Sequence, residues 1–168
     1  NRDYIPMDYI SPDIICSKQA FHIESCPKWV FAVLESRLHM AWVKVVGGRL
    51  EMRYRYSSLI VYNNFPWPRM TDEMKERLNE TATNLLAERS KELKGQTYDD
   101  IYDKDYVPLP AYTAAVKAND EAVFAAYADF DINQNMSDEE IAIALLKQSV
   151  RLAKLNKNKK KSKRHGKA

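Results

Sequence analysis

Gly47 and Gly48 separate two kinds of periodicity, and that boundary constrains the chain more than any other feature. Before the pair, apolar residues recur at three and four. After it, Gly47-Gly48-Arg49-Leu50-Glu51-Met52-Arg53-Tyr54-Arg55-Tyr56 alternates with a period of two. On an extended backbone Glu51, Arg53 and Arg55 point one way, and Met52, Tyr54 and Tyr56 the other. One face is hydrogen-bonding and mixed in charge; the other is large and apolar enough to pack. A surface that reads base edges needs such a layout, because Arg donates to guanine and Glu accepts from the cytosine amino group. An amphipathic edge strand with a solvated polar face has the same alternation.

The remaining pattern gives an α+β chain: a small mixed strand and helix region followed by a helical bundle. Residues 4–11 and 13–23 read as short strands through Ile14, Ile15, Ala20, Phe21 and Ile23, with Pro6 and Pro12 restricting them to edges or bends. Pro27 suits the first turn of one helix running to about Val46, with Val30, Phe31, Leu34, Leu38, Ala41, Trp42 and Val45 inward. The glycine pair ends it by adopting positive φ, and extended backbone follows over 49–62. Thr71, with Asp72 and Glu73, starts a helix to about Leu93 whose stripe is Met74, Leu78, Thr81, Leu85 and Leu86. A second helix covers 111–130, with Tyr112, Val116, Val123, Tyr127 and Phe130 inward. Ser137 and Glu140 form a capping box for a third, which buries Ile141, Leu145, Leu152 and Leu155. Three units result: 1–70, a helical 71–155, and a disordered basic tail at 156–168.

A chain of 168 residues holds one domain, or a small one with a helical appendage. It begins at Asn1 rather than Met and reads as a piece of a longer polypeptide with no leader or bilayer-length apolar run. That reading makes it cytoplasmic. Its net charge of +3 conceals an asymmetry: residues 1–70 carry +3, residues 71–153 carry −8 and residues 154–168 carry +8. A polyanion would be repelled by the middle and attracted to the ends. Cys16 and Cys26 lack the spacing of a zinc or redox motif and read as reduced thiols. His22, His39 and His165 are scattered, with nothing nearby to complete a metal shell. Asp99, Asp100, Asp103 and Asp105 are carboxylate-rich but lack the central Gly and closing Glu of a calcium loop. Nor do they form the acidic-x-Lys pattern of a metal-dependent nuclease.

Leu38-His39-Met40-Ala41-Trp42-Val43, Gly48-Arg49-Leu50, Tyr54-Arg55-Tyr56-Ser57 and Val61-Tyr62-Asn63-Asn64-Phe65-Pro66-Trp67-Pro68 together resemble the target-recognition region of MmeI-like Type II DNA methyltransferases. Tyr4-Ile5-Pro6 and Tyr9-Ile10-Ser11-Pro12-Asp13 resemble the start of the same segment. Beyond residue 70 the likeness is looser. Asp99-Asp100-Ile101-Tyr102-Asp103, Pro108-Leu109-Pro110 and the helix with Asn119-Asp120, Val123 and Tyr127 resemble that family's helical C-terminal part.

The resemblance implies the DNA sequence-recognition and C-terminal part of a bacterial adenine-N6 methyltransferase of a restriction-modification system. The partners it implies are double-stranded DNA and the parent methyltransferase domain, with no membrane. Base contacts fall on Glu51 and Arg53, and also on Arg55, Lys18 and Gln19. Lys44 and Arg49 suit phosphate contacts, which position without specifying sequence; Arg49 equally suits a structural role at the turn. S-adenosylmethionine belongs to the parent enzyme, because this stretch lacks both a Gly-rich cofactor turn and the catalytic loop of Asn or Asp, two prolines and an aromatic residue. Asn64-Phe65-Pro66-Trp67 has those residue types in the wrong order, and its structural reading makes Phe65 and Trp67 packing anchors. The segment itself is thus expected to be non-catalytic. The alternative reading is a helical protein-interaction module that docks on the parent catalytic domain or a partner subunit. A further one is an independent small enzyme using Asn64 and Phe65.

Overall fold

The computed structural model describes residues 4–17, 20–50, 53–103 and 105–165. In chain order the elements are α1 (Lys28–Leu34), α2 (Arg37–Val46), β1 (Gly48–Leu50), β2 (Arg53–Arg55), a π-helical turn (Ser58–Tyr62), α3 (Asp72–Glu92), α4 (Tyr98–Ile101), α5 (Pro110–Ala126), a 3-10 turn (Ala128–Phe130) and α6 (Asp138–His165). The class is α+β: helices with one two-stranded antiparallel sheet.

The strands expected within 4–23 are not formed among the described residues; the segment is an irregular arch. Its entry is bonded to side chains instead of to a neighbouring strand. The Met7 amide donates to Glu35 Oε2 at 3.3 Å, and its carbonyl accepts from Arg89 Nη1 at 2.6 Å. With its amide and carbonyl both bonded, Met7 needs no strand partner.

The single helix expected over 27–46 is two, broken at Glu35 and Ser36. Ser36 is the reason. Its backbone is extended and its Oγ accepts from the His39 amide, so it caps a new helix. Val30, Phe31, Leu34, Leu38, Ala41 and Trp42 are buried as expected, whereas Val45 is 49% exposed. Gly47 ends α2 without positive φ, at φ −70° and ψ 145°. Its missing side chain serves close approach, since a Cβ there would lie 2.5 Å from the Val43 carbonyl oxygen.

The extended run expected over 49–62 folds back on itself. Gly48 pairs with Arg55, Arg49 with Tyr54 and Leu50 with Arg53, which makes an antiparallel hairpin. The chain then tightens into the π-helical turn, opened by the Ser57 side chain, which accepts from the Ile60 amide.

The later helices start where their caps dictate. Thr71 Oγ1 accepts from the Met74 amide, Pro110 occupies the first turn of α5, and Ser137 and Glu140 exchange reciprocal capping bonds of 2.8 and 3.2 Å. In α5, Tyr112, Ala115, Asn119, Ala122, Val123 and Ala126 turn inward, while Val116, expected inside, is 37% exposed. Ile141 and Leu145 are buried, but Leu155 is exposed. The α6 backbone continues helical through residues 156–165, where a disordered tail was expected.

One core spans the boundary drawn at residue 70. Phe31, Val33, Leu38, Trp42 and Phe65 are buried in the same cluster as Leu78, Leu85, Val123, Tyr127, Ile141 and Leu145. Polar pins cross it as well. The Asn119 amide donates to the Ala32 carbonyl at 2.9 Å, and the Asn79 side chain caps α1 by accepting from the Trp29 amide at 2.8 Å.

Candidate nucleic-acid interface

The hairpin stands at the end of α2 on an aromatic base. Tyr56, just past β2, meets the His39 Nε2 through its hydroxyl at 3.1 Å, and its ring lies 5.8 Å from that of His39. His39 is fully buried, so desolvation drives its pKa down to about 3 and the imidazole is neutral. Burial also raises the pKa of the Tyr56 phenol. Phe65 stands edge-on to His39 at 4.7 Å and to Trp67 at 5.2 Å. On the outer side Phe21 reaches Tyr56 with ring centroids 6.4 Å apart, bringing the arch beside the hairpin.

Asn64-Phe65-Pro66-Trp67 is engaged in local packing and bonding. The Asn64 amide donates to the Leu59 and Ile60 carbonyls at 2.8 and 3.0 Å, closing the π-helical turn. Phe65 is buried in the core. Trp67 packs edge-on against Trp29 as well as Phe65, so both aromatic residues are packing anchors. The Asp99 to Asp105 stretch is likewise used locally: the Asp100 carboxylate completes a capping box with Thr97. Among the described residues, no group of three or more His, Cys, Asp or Glu could hold a metal ion. Cys16 and Cys26 are free thiols.

The sequence-derived contact residues fall into three groups. Lys18, Gln19 and Glu51 lie outside the described residues, as does the side chain of Arg53. Arg55 is exposed on β2 opposite Gly48, where no side chain shields it. Arg49 and Lys44 have partners within the protein. The Arg49 guanidinium sits 4.7 Å over the ring of its cross-strand neighbour Tyr54, and Nη2 donates to the Tyr54 hydroxyl at 3.0 Å. That is the turn-holding role, and it leaves the residue exposed at the surface.

Lys44 departs further from its expected place against phosphate. Its Nζ lies 2.7 Å from Asp138 Oδ2, and Arg37 Nε lies 3.0 Å from the other carboxylate oxygen. Although partial burial works the other way, Lys44 and then Arg37 hold the Asp138 carboxyl below the usual range. The ammonium thus ties α2 to the start of α6.

The strongest buried polar feature left no trace in the sequence reading. Arg89 on α3 and Glu35 at the end of α1 are 1% and 3% exposed in their side chains, with Nη2 2.9 Å from Oε1. The same Oε1 accepts from the Tyr4 and Tyr102 hydroxyls at 2.8 and 2.9 Å. Desolvation pushes the Glu35 carboxyl up, and Arg89 is foremost among the groups pulling it back. Burial opposes the Arg89 cation, but Glu35 outweighs it and holds its pKa above the ordinary value. Tyr4 and Tyr102 stack with centroids 4.5 Å apart, and the Tyr98 hydroxyl donates to Asp8. The entry to the arch is thereby gripped by α1, α3 and α4.

A short hairpin and an exposed arch, both braced by helices, define a recognition segment on a helical support. Residues 1–69 match the family described as MmeI, target recognition domain. Over 147 residues, 88% of the chain, it is 36% identical to DNA methyltransferase A of Bacillus subtilis (strain 168), spanning 16% of that protein. A solved structure of the Type IIL restriction-modification enzyme MmeI in complex with DNA superposes with a TM-score of 0.81 at 31% identity, covering 91% of this chain and 20% of that one. The chain thus spans a fifth or less of the length of these two relatives. The class is that of a target recognition domain with its helical support. The family is the MmeI-like one: residues 1–69 belong to its target recognition domain, and the likeness continues through the helices.

Proposed function

We propose that this chain supplies DNA sequence recognition to a longer bacterial, cytoplasmic adenine-N6 methyltransferase of a restriction-modification system. The hairpin and the arch face the duplex, and the helices hold them and dock on the parent's methyltransferase domain. The observation that carries this reading is the exposed hairpin within the segment matched to the MmeI target recognition domain, founded on half-buried Tyr56 and on buried His39 and Phe65. A two-stranded ribbon fits the major groove. Glu51, Arg53 and Arg55 on the hairpin, with Lys18 and Gln19 on the arch, are the proposed base readers. Arg49 is the proposed phosphate contact, and Lys44 yields that role to its Asp138 pair.

S-adenosylmethionine and methyl transfer belong to the parent in this reading. The one glycine pair of the chain leads from a helix into a hairpin, not from a strand into a helix, so it is not shaped as a cofactor turn. No helix among the described residues is long and apolar enough to cross a membrane.

Exchanging Glu51 and Arg53 as a pair within the parent enzyme should change the preferred base at one position of the methylated site. A good bidentate contact discriminates by about 1–3 kcal/mol. An unchanged methylated sequence would remove these residues from the reading.

The acidic stretch 71–153 favours a second role, docking rather than DNA contact, for the helices. A gel-shift series at several salt concentrations separates the two. A recognition module keeps salt-sensitive binding when Lys159, Lys160 and Lys161 are neutralised, whereas a pure docking module loses it.

A further inference from the structure

We propose that Arg89, which lies in the helical part beyond the matched recognition segment, is a positioning residue of the recognition surface. It sets where the arch sits by holding both the backbone and the carboxylate from which the arch hangs. This inference rests on the recognition reading above.

The geometry is specific. Arg89 Nη1 takes the Met7 carbonyl at 2.6 Å, and Nη2 takes Glu35 Oε1 at 2.9 Å. Glu35 Oε2 in turn takes the Met7 amide at 3.3 Å. Both polar groups of one arch residue are therefore held by one ion pair: Nη1 bonds the Met7 carbonyl while Nη2 stands at ion-pair distance from the Glu35 carboxylate, a two-pronged placement that a compact ammonium does not reproduce. The Arg89 Cζ also lies 5.4 Å over the Phe31 ring, so the cation is held from below. Immediately beyond this grip the chain becomes exposed, from Asp8 through Ile15, and it returns to the hairpin only at Phe21 and Tyr56. Just past the grip the Tyr98 hydroxyl donates to Asp8, the Tyr9 hydroxyl donates to the Cys26 carbonyl at 3.0 Å and the Tyr9 ring lies 5.5 Å from that of Phe31, while backbone bonds further along, such as Ile14 to Ser11 at 3.0 Å and Ala20 to Ser17 at 3.1 Å, are local. The arch is thus fixed mainly at its start, where Arg89 is the side chain that bonds its backbone carbonyl. The hairpin, by contrast, is founded on α2 through His39.

A role in stability alone and a role in positioning predict different outcomes. The test uses the 168-residue chain and its Arg89→Lys variant, which keeps the charge and the aliphatic stem. Amide hydrogen exchange is measured on free protein, and base preference is measured by selection from randomised duplexes, with thermal melting alongside. Arg89→Lys should speed exchange at Met7 to Ser17 at least tenfold while the buried amides of α2 and α5 keep their protection. It should also flatten preference at the base positions read by the arch and spare those read by the hairpin. Tyr102→Phe, which removes one donor from Glu35 but leaves Arg89 on Met7, should leave both profiles close to wild type. Uniform loosening across the chain, or an unchanged arch with unchanged preferences, would overturn the proposal. A wild-type chain without any base preference would overturn the recognition reading itself; localised loosening of the arch in Arg89→Lys would still stand for its mechanical part.

Discussion

Acid should loosen the floor of the hairpin through one side chain. His39 has no exposed surface and its pKa lies at about 3, against 6.5 for an unperturbed imidazole. Between those values the unfolded chain holds a proton that the folded one refuses. Stability therefore falls as pH falls, beginning near 6.5 and saturating near the folded pKa. Each pH unit within that window costs about 1.4 kcal/mol, so the passage from pH 7 to pH 5 removes about 2 kcal/mol through His39 alone. With a urea dependence of about 2 kcal/mol per molar, that is a midpoint shift of about 1 M. The control is His39→Gln, which keeps a polar group near the Tyr56 hydroxyl but does not titrate. Its starting stability will differ, but only the change with pH matters. Asp138, Asp120 and Glu35 titrate in both proteins and cancel in the comparison. Urea denaturation of the two chains at pH 7 and pH 5 should show the wild type losing about 2 kcal/mol more than the variant. Equal losses would refute a neutral, desolvated imidazole beneath the hairpin.

Arg89→Met should cost about 3–5 kcal/mol in the same assay, because it leaves the Glu35 carboxylate buried without its cation. Replacing both, as Glu35→Leu with Arg89→Met, should recover much of that loss, and a double variant as unstable as the single one would contradict the pairing. Gly47→Ala should destabilise by about 1–3 kcal/mol, since its Cβ meets the Val43 carbonyl oxygen. Gly48→Ala, with nothing within 4 Å of the added atom, should remain within about 0.5 kcal/mol of wild type; equal costs at the two glycines would argue against the α2 exit described here.

Local chemistry was legible in the sequence wherever one short motif controls one structure. The starts of α3 and α6 follow from Thr71 and from the Ser137 and Glu140 box, and Phe65 anchors the core as its apolar run implies. What failed depended on partners distant in the chain. The alternation over 49–62 was real, but period alone cannot tell one long strand from two short ones paired in a hairpin. Gly47 was read for a rare φ when its use is close approach, which depends on where the preceding carbonyl points. The arch was read as strands because its apolar residues suit a sheet, yet its entry bonds to Glu35 and Arg89 side chains. Lys44 resembled a phosphate contact until Asp138, 94 positions later, came beside it. Ser36, Ser57 and the Thr97 and Asp100 box carried overlooked local signals, Ser36 as a cap in the middle of an apparently continuous helix.

The core shared by Phe31, Trp42, Leu78, Leu85, Tyr127 and Leu145 has a consequence for exchange between relatives. A crossover near residue 70 would join halves that had never been fitted to each other, and mismatched side chains would meet along the whole seam. Exchanges confined to the exposed arch or to the hairpin leave that seam intact. New sequence preferences should therefore be easier to acquire by small grafts at the rim than by transplanting the first seventy residues as a block.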